Sequence, residues 1–423
     1  MAAGLLFALH GWEGESYWSY SDGAYLYTSR ALVGGSRLYS DLAAAQPPLV
    51  YWAGALILRV HDGLLWARAV LGAVGLLGGV LVFVTVLRLT HNRIAAIGAG
   101  LFAFLTPWAL HEHTALTPET FVAPLLLASA LTCSRKGLSS VAGGVAIALA
   151  AGFKASWLLA LIPLIVVAPD RRRLMLGVVC GGTGLLIVSL LLYEGALITN
   201  VVSAQLQTGT TSPRIVLEYV EQAAWDLAPL AVPAILAWRY RRGVRDTALL
   251  RCVIAVSIGA VAEMVTLSKN GSYLNVVVPA ELALVALSAT GLALLVSHLR
   301  ERPRTWSSRW VFLAATAAVL VVAAQSGSLL AAPDDPTLFR HPFAGAYYQR
   351  ILGDGAVRRA VGVAQRCPLN VPFSGPPFLA FVAHRRLPGD QGDPFIVHHA
   401  AVHNAQSQQI ARDSVRCPAR RPV

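Results

Sequence analysis

The sequence is short of charged residues. Only 13% of its 423 residues are Asp, Glu, Lys or Arg, whereas 56% are hydrophobic. Soluble domains carry about 25% charged residues, so this chain has too few of them to cover a surface that faces water. The composition therefore excludes a soluble globular protein and indicates a membrane protein.

Motifs for several common chemistries are also missing. The chain contains no P-loop, no GxGxxG between a strand and a helix, no CxxC and no internal repeat. Cysteine is scarce, with five residues. Cys367 and Cys417 lie in the polar tail, where they form either a disulfide or two unrelated thiols.

The hydrophobic residues form long blocks. A helix of about 17 to 25 apolar residues can cross the roughly 30 Å of hydrocarbon in a bilayer. The blocks therefore predict an all-α polytopic membrane protein with about 11 transmembrane helices. Eight of the blocks lie near residues 66–87, 94–110, 118–133, 174–193, 223–238, 248–267, 275–297 and 309–330.

Shorter apolar segments supply the other predicted spans. Residues 138–169 are long enough for two short spans with a break at Gly152 to Lys154, and the N-terminal MAAGLLFALHGW is the predicted outer half of a first span. We expect residues 47–60 to form an amphipathic helix in the membrane interface. If this segment crossed the bilayer, every later connection would lie on the opposite side of the membrane.

Basic residues predict the orientation. Nearly half of the 34 Lys and Arg residues fall in five short connections, and the connections that alternate with these hold only Lys154, Arg214 and Lys269. Cytoplasmic loops are enriched in Lys and Arg, so the five basic connections are predicted to be cytoplasmic. The net charge of +12 then reflects topology plus an arginine-bearing tail, and nucleic acid is not a predicted partner.

This orientation predicts a multi-pass protein of the cell membrane with two domains. Residues 1–330 form a transmembrane domain whose first outer loop covers about residues 13–65. At APDDP the composition changes to Pro, Asp, His and Arg. Residues 331–423 are therefore predicted to form a small extracytoplasmic domain, with short apolar runs typical of an α/β unit.

Several sequence segments carry a resemblance to a known family. The segment SDGAYLYTSRALVGGSRLYSDLAAAQPPLVYW, which begins at Ser21, resembles the first extracytoplasmic loop of GT-C membrane glycosyltransferases, which include protein O-mannosyltransferases and aminoarabinose transferases. TPETF, GFKASW and SYLNVVVPAELAL follow in the order expected for that family. The family often has a second acid where this chain has Gly23, and many relatives have a lysine where it has Gln46.

The resemblance implies a GT-C-like catalytic domain in residues 1–330. It also implies inverting transfer of a sugar from a polyprenyl-phosphate donor to a glycan, lipid or protein acceptor on the outer face. Two alternatives stay open, a catalytically degenerate protein of envelope assembly and a membrane transporter. A transporter would show broken or charged helices at mid-membrane and symmetric halves, which the sequence does not.

Two carboxylates are candidate catalytic residues. Glycosyl transfer needs a carboxylate to deprotonate or orient the acceptor hydroxyl, and Asp22 occupies the place of the family acid. The alternative for Asp22 is a cap of the helix that follows it. Glu119 lies at the outer end of a predicted span, where it either shares in positioning the acceptor or satisfies a helix N-terminus.

Cations and tyrosines complete the candidate site. Arginine and lysine bind phosphate well, and the alternative at a membrane surface is snorkelling toward head groups. Tyrosines there line a sugar site or anchor the chain in the interface. No cofactor is predicted, and the sequence does not support a divalent metal. The candidates are Arg30, Arg37, Lys154 and Lys269 for the donor phosphate, and Tyr25, Tyr39, Tyr51 and Tyr273 for the substrate lining.

Overall fold

The computed structural model describes most of residues 1–330 and short parts of the tail. The described residues are 20–207, 209–269, 274–301, scattered positions between 313 and 324, 361–367, 373–374, 377–387 and 417–418. Tyr273 and most of the predicted span 309–330 lie outside the described residues.

The described chain is built mainly from α-helices. Short 3-10 or π segments flank several of them, at Ala155–Ala160, Thr199–Ser203, Glu263–Ser268 and Leu274–Val277. The α-helices are α1 (Tyr20–Val33), α2 (Leu49–Val60), α3 (Leu64–Thr90), α4 (Arg93–Phe102), α5 (Pro107–Glu112), α6 (Pro118–Cys133), α7 (Leu138–Phe153), α8 (Leu161–Val167), α9 (Arg171–Ile198), α10 (Ala204–Gln207), α11 (Pro213–Arg239), α12 (Thr247–Ala262), α13 (Val278–Glu301) and α14 (Pro377–Val382).

Local sequence signals explain where many of these helices begin. The side chains of Asn92, Asp170 and Asp246 each accept a hydrogen bond from the backbone N–H three residues later, at the starts of α4, α9 and α12. Such N-caps satisfy donors that have no partner inside the helix. Proline stands at the first position of α5, α6 and α11, where its missing N–H costs nothing.

Four helical segments are long and apolar enough to cross a membrane, judged by length and composition. They are Leu64–Thr90, Arg171–Ser203, Thr247–Ser268 and Leu274–Arg300. Five shorter apolar segments accompany them, and one of these is Leu49–Val60, the predicted interfacial helix. The total of about 11 spans stays a prediction.

Most predicted blocks coincide with helices, but one does not. The block 118–133 matches α6, and the expected break at Gly152 to Lys154 is confirmed, because α7 ends at Phe153. The prediction of one continuous span over residues 94–110 is wrong. The helix ends at Phe102 and a new one begins at Pro107, which stands at the first helical position, where proline is favoured.

Two hydrophobic clusters hold the helices together. The larger one joins α3, α6, α12 and α13. Helices α7 and α9 approach each other closely at Gly144 and Gly177, since a Cβ at Gly177 would lie 2.0 Å from the carbonyl oxygen of Val141. The smaller cluster joins α1, α2 and the start of α3 to α14 in the tail. Helix α14 of the tail therefore packs on α1, α2 and the start of α3.

The tail also contains a short pair of strands. Strand β1 (Phe373–Ser374) pairs in parallel with β2 (Cys417–Pro418), with Phe373 opposite Cys417. Cys367 is disulfide-bonded, whereas Cys133, Cys180 and Cys252 are free. Cys367 is therefore not a free thiol, and the alternative of two unrelated thiols, which the sequence left open, does not hold.

Candidate functional site

Asp22 lies in the first turn of α1, and its carboxylate is fully buried. Arg68 of α3 donates from Nη2 to Asp22 Oδ2 at 2.6 Å. The backbone N–H of Leu116 donates to Asp22 Oδ1 at 2.7 Å. Both oxygens thus bind groups outside α1, so the interpretation of Asp22 as a cap of its own helix is wrong.

Arg68 is the main site residue that the sequence analysis missed. Only 4% of its side chain is exposed, and its Nη1 donates to the carbonyl oxygen of Thr114 at 2.7 Å. A buried charge needs both a counter-charge and hydrogen bonds, which Asp22 and Thr114 supply. The signal was present in the sequence, because an arginine inside an apolar block is costly and so must have a partner.

The environment of Asp22 shifts its acidity. Burial raises the pKa of the Asp22 carboxyl above its usual value, while the charge of Arg68 and the hydrogen bond from Leu116 oppose that rise. The net direction is upward. A carboxylate with a raised pKa is a stronger base than an ordinary aspartate.

A second cluster surrounds Lys154 in the break after α7. Glu119, fully buried in the first turn of α6, accepts from Lys154 Nζ at 3.0 Å through Oε1 and from Asn275 Nδ2 at 2.8 Å through Oε2. Glu263 Oε1 lies 3.5 Å from Lys154 Nζ and also accepts from Ser156 Oγ. Burial lowers the pKa of the Lys154 ammonium. The charges of the two carboxylates outweigh this effect, so that the pKa is raised overall.

Lys269 lies near this cluster but has a different partner. Its Nζ donates to the side-chain oxygen of Gln205, which is neutral, and no salt bridge of Lys269 occurs among the described residues. Burial lowers the pKa of Lys269, and the charge of Lys154 lowers it further. Unlike Lys154, Lys269 therefore has no carboxylate partner among the described residues.

One short segment joins the two clusters. Within six successive residues, Thr114 accepts from Arg68, Leu116 donates to Asp22, and Glu119 accepts from Lys154. An extended chain covers at most about 3.6 Å per residue, so the Cα atoms of Leu116 and Glu119 lie within about 11 Å of each other. The structure thus brings Asp22, Glu119, Lys154 and Lys269 into one region.

Arg30 serves a different contact. Its Nε donates to Asp62 Oδ1 at 2.8 Å, its guanidinium lies 3.7 Å from the centroid of the Phe381 ring, and it donates to the carbonyl oxygen of Phe381. The N–H of Leu387 donates to the hydroxyl of Tyr27 at 2.8 Å. We call residues 377–387 the C-terminal clamp, because they fasten the tail to α1.

Gly23 allows the C-terminal clamp to approach α1. A Cβ at Gly23 would lie 2.6 Å from the backbone nitrogen of Phe378 and 2.7 Å from its Cβ. Real Cβ atoms essentially never come so close to other heavy atoms. The position at which the family often carries a second acid is therefore filled here by a helix from the tail.

The other predicted loop residues form a separate group. Arg37 is exposed and pairs with Asp41 at 3.4 Å, so the structure does not bring it to Asp22. The hydroxyl of Tyr39 donates to the carbonyl oxygen of Gln46 at 2.7 Å, and the N–H of Gln46 donates to the Tyr51 hydroxyl at 3.4 Å. Tyr25 packs edge-on against Tyr51, with ring centroids 5.6 Å apart.

A third buried acidic group escaped the sequence analysis. Glu281 in α13 accepts from the hydroxyl of Thr106 at 2.8 Å and from the N–H of Ala109 at 3.1 Å. Asp226 in α11 accepts from the indole N–H of Trp108 at 2.7 Å. These contacts fix the start of α5 against two long helices. Within the described ranges, no group of three or more His, Cys, Asp or Glu residues suited to a metal ion is found.

Comparison with solved structures shows the fold. The chain is similar to ArnT from Cupriavidus metallidurans bound to undecaprenyl phosphate, with a TM-score of 0.62 and 15% identity over 91% of this chain and 84% of that chain. The apo form of the same protein gives a TM-score of 0.63 and 16% identity over the same shares. No protein-family model and no curated protein sequence matches the chain. The expected GT-C fold is confirmed, and the chain is a membrane protein.

Proposed function

We propose that this chain is a GT-C-type membrane glycosyltransferase that transfers a sugar, with inversion, from a polyprenyl-phosphate donor to an acceptor on the extracytoplasmic face. The observation that carries the proposal is the buried Asp22 carboxylate, held by Arg68 and Leu116 beside the cluster of Glu119 and Lys154. The bound undecaprenyl phosphate of the structurally similar ArnT supports the class of donor.

The proposed reaction uses Asp22 as the base. The acceptor oxygen forms a bond to the anomeric carbon of the sugar while its proton passes to the Asp22 carboxylate. The bond from that carbon to the phosphate oxygen breaks, and its electron pair leaves with the polyprenyl phosphate. The raised pKa of Asp22 favours this proton transfer, because a stronger base takes the proton at a lower barrier.

We assign the leaving phosphate mainly to Lys269, with Lys154 as a second contact. Lys154 already lies between two carboxylates, so a phosphate must compete with Glu119 and Glu263 for it. Lys269 contacts a neutral amide, which costs less to displace. A cation at this place pairs with the phosphate both in the bound donor and in the leaving group.

A second candidate function is that of a catalytically inactive partner in envelope assembly. Two observations favour it: both oxygens of Asp22 accept hydrogen bonds from the protein, and Phe378 fills the space beside Gly23. In that case Asp22 and Arg68 would act only as a structural brace. The alternative predicts no donor turnover.

In the topology that we propose, the site lies on the extracytoplasmic side of the membrane. This topology has about 11 spans, with the basic connections on the cytoplasmic side. The site and residues 331–423 then face the opposite side, where the lipid-linked donor would be presented to its acceptor.

Turnover of defined donors tests the proposal. Purified protein would be incubated with a panel of polyprenyl-phosphate sugars, and free polyprenyl phosphate would be measured. We expect release with at least one donor, and a fall of about 100-fold or more in Asp22→Asn. The matched control is Asp170→Asn, because Asp170 caps α9 and asparagine caps equally well. Near-normal turnover in Asp22→Asn would remove Asp22 as the base.

A further inference from the structure

A large cavity lies away from Asp22, where three connections of the chain meet. It has a volume of about 780 Å³ and opens between the end of α3, the end of α6 and the start of α12. This volume is typical of a site for a small molecule or a lipid head group. We call it the basic pocket, after its lining residues Arg88, His91, Arg93, Arg135, Arg245 and Asp246.

The charges of the basic pocket do not cancel. Asp246, the single acid in its lining, pairs with Arg88 and caps α12 by accepting from the N–H of Leu249 at 2.9 Å. Arg93, Arg135 and Arg245 are exposed, and no salt bridge of theirs occurs in the described part of the chain. Three positive charges therefore face one cavity without a described counter-charge.

The backbone around the basic pocket is fixed. The N–H of Arg245 donates to the carbonyl oxygen of Leu89 at 3.0 Å, which ties the connection before α12 to the end of α3. Arg88 donates to the carbonyl oxygen of Leu131 at the end of α6 at 3.1 Å. The pocket is thus built on three tied helix ends, which lowers the entropy cost of binding a ligand.

The chemistry of the lining points to phosphate. Arginine presents a fork of donors that matches phosphate oxygens and stays charged at all physiological pH values. Leu87 and Ala248 give the same cavity an apolar part, which suits a ligand with a charged head and an apolar remainder. The surrounding connections are the basic ones that positive-inside topology assigns to the cytoplasmic membrane surface, where anionic phospholipids supply phosphate at high density.

We propose that the basic pocket binds the phosphate group of an anionic phospholipid from the cytoplasmic leaflet. The site is separate from Asp22 and Lys154 and does not depend on the proposed transfer reaction. The lipid would neutralise Arg93, Arg135 and Arg245 together. It would thereby stabilise the junction of α3, α6 and α12.

Lipid binding by purified protein in detergent micelles tests this inference. Short-chain phosphatidylglycerol would be titrated into the full-length protein, with short-chain phosphatidylcholine and inorganic phosphate as separate arms. We expect saturable binding of phosphatidylglycerol that weakens about tenfold or more in Arg135→Gln/Arg245→Gln, since each charge-assisted contact contributes substantially. The matched control is Arg172→Gln/Arg242→Gln, because both residues are exposed arginines and lie outside the pocket lining.

Each other outcome counts against the inference. Equal affinity for phosphatidylcholine, or an equal loss of binding in the control variant, would show that the pocket does not recognise the anionic head group. If inorganic phosphate binds as tightly as the lipid, the pocket is a phosphate site, but the inference that its ligand is a phospholipid of the bilayer is wrong. Thermal unfolding of each variant would be measured in parallel, so that a folding defect is not mistaken for a binding defect.

Discussion

Replacing Asp22 by asparagine should weaken the fold as well as the reaction. Arg68 is 4% exposed and its Nη2 lies 2.6 Å from Asp22 Oδ2, so Asp22→Asn leaves a buried positive charge without its counter-charge. Arg68→Met does the reverse and leaves the carboxylate unpaired. The double variant removes both charges and keeps an oxygen at position 22 for the N–H of Leu116.

The distance sets the size of the effect. Two unit charges 2.6 Å apart attract by about 6 kcal/mol at an effective dielectric constant of about 20, and desolvation of both groups offsets several kcal/mol of this. Breaking such a buried pair from one side costs about 3 to 5 kcal/mol. The double variant should recover about 2 to 3 kcal/mol of that loss, which is the coupling energy of the pair.

Unfolding of the four proteins by SDS in mixed micelles would give the free energies, and donor turnover would be measured on the same samples. We expect the double variant to regain stability while it stays inactive. Equal free energies of unfolding in all four proteins would refute the buried ion pair as a stabilising contact. Recovery of turnover in the double variant would show instead that Asp22 is a brace and not the base.

Three further measurements test the rest of the site. Gly23→Ala should speed hydrogen exchange in the C-terminal clamp, because the added Cβ would lie 2.6 Å from the backbone nitrogen of Phe378. Gly184→Ala is the control and should leave this exchange unchanged, because a Cβ there would have no atom within 4 Å. Lys269→Gln should raise the donor KM about tenfold with little change in kcat; a fall in kcat alone would contradict the assignment. An impermeant maleimide should label Ser40→Cys and not Arg242→Cys from outside; the reverse result would invert the topology.

Patterns local to the chain predicted much of the fold. Apolar blocks predicted α6 to the residue and α3 to within three residues at each end, and the polar Lys154 predicted the break after α7. Glu119, Lys154 and Lys269 could be proposed from local information, because they are charged residues at the ends of apolar blocks, whereas Asp22 was proposed from its place in the motif that resembles the GT-C family. The structure brings these four residues into one region.

Contacts between distant segments could not be predicted in the same way. In the sequence, Gly23 only marked the absence of the family's second acid. Its neighbour in the structure, Phe378, lies far away in the sequence, so no local pattern could predict the contact. Arg68, Glu263 and Glu281 lay inside apolar blocks and were absorbed into predicted spans. An ionisable residue in such a block requires a partner, but the sequence does not say which one.

The C-terminal clamp has a consequence for how the protein matures. Arg30 and Phe381 are 351 positions apart, and Tyr27 and Leu387 are 360 positions apart. A chain is synthesised from its N-terminus at about 5 to 20 residues per second, so α1 leaves the ribosome long before the segment that covers it exists. We expect one side of the helix that carries Asp22 to stay uncovered until almost the whole chain has been synthesised. Completion of synthesis would then be the step that closes this side of the helix.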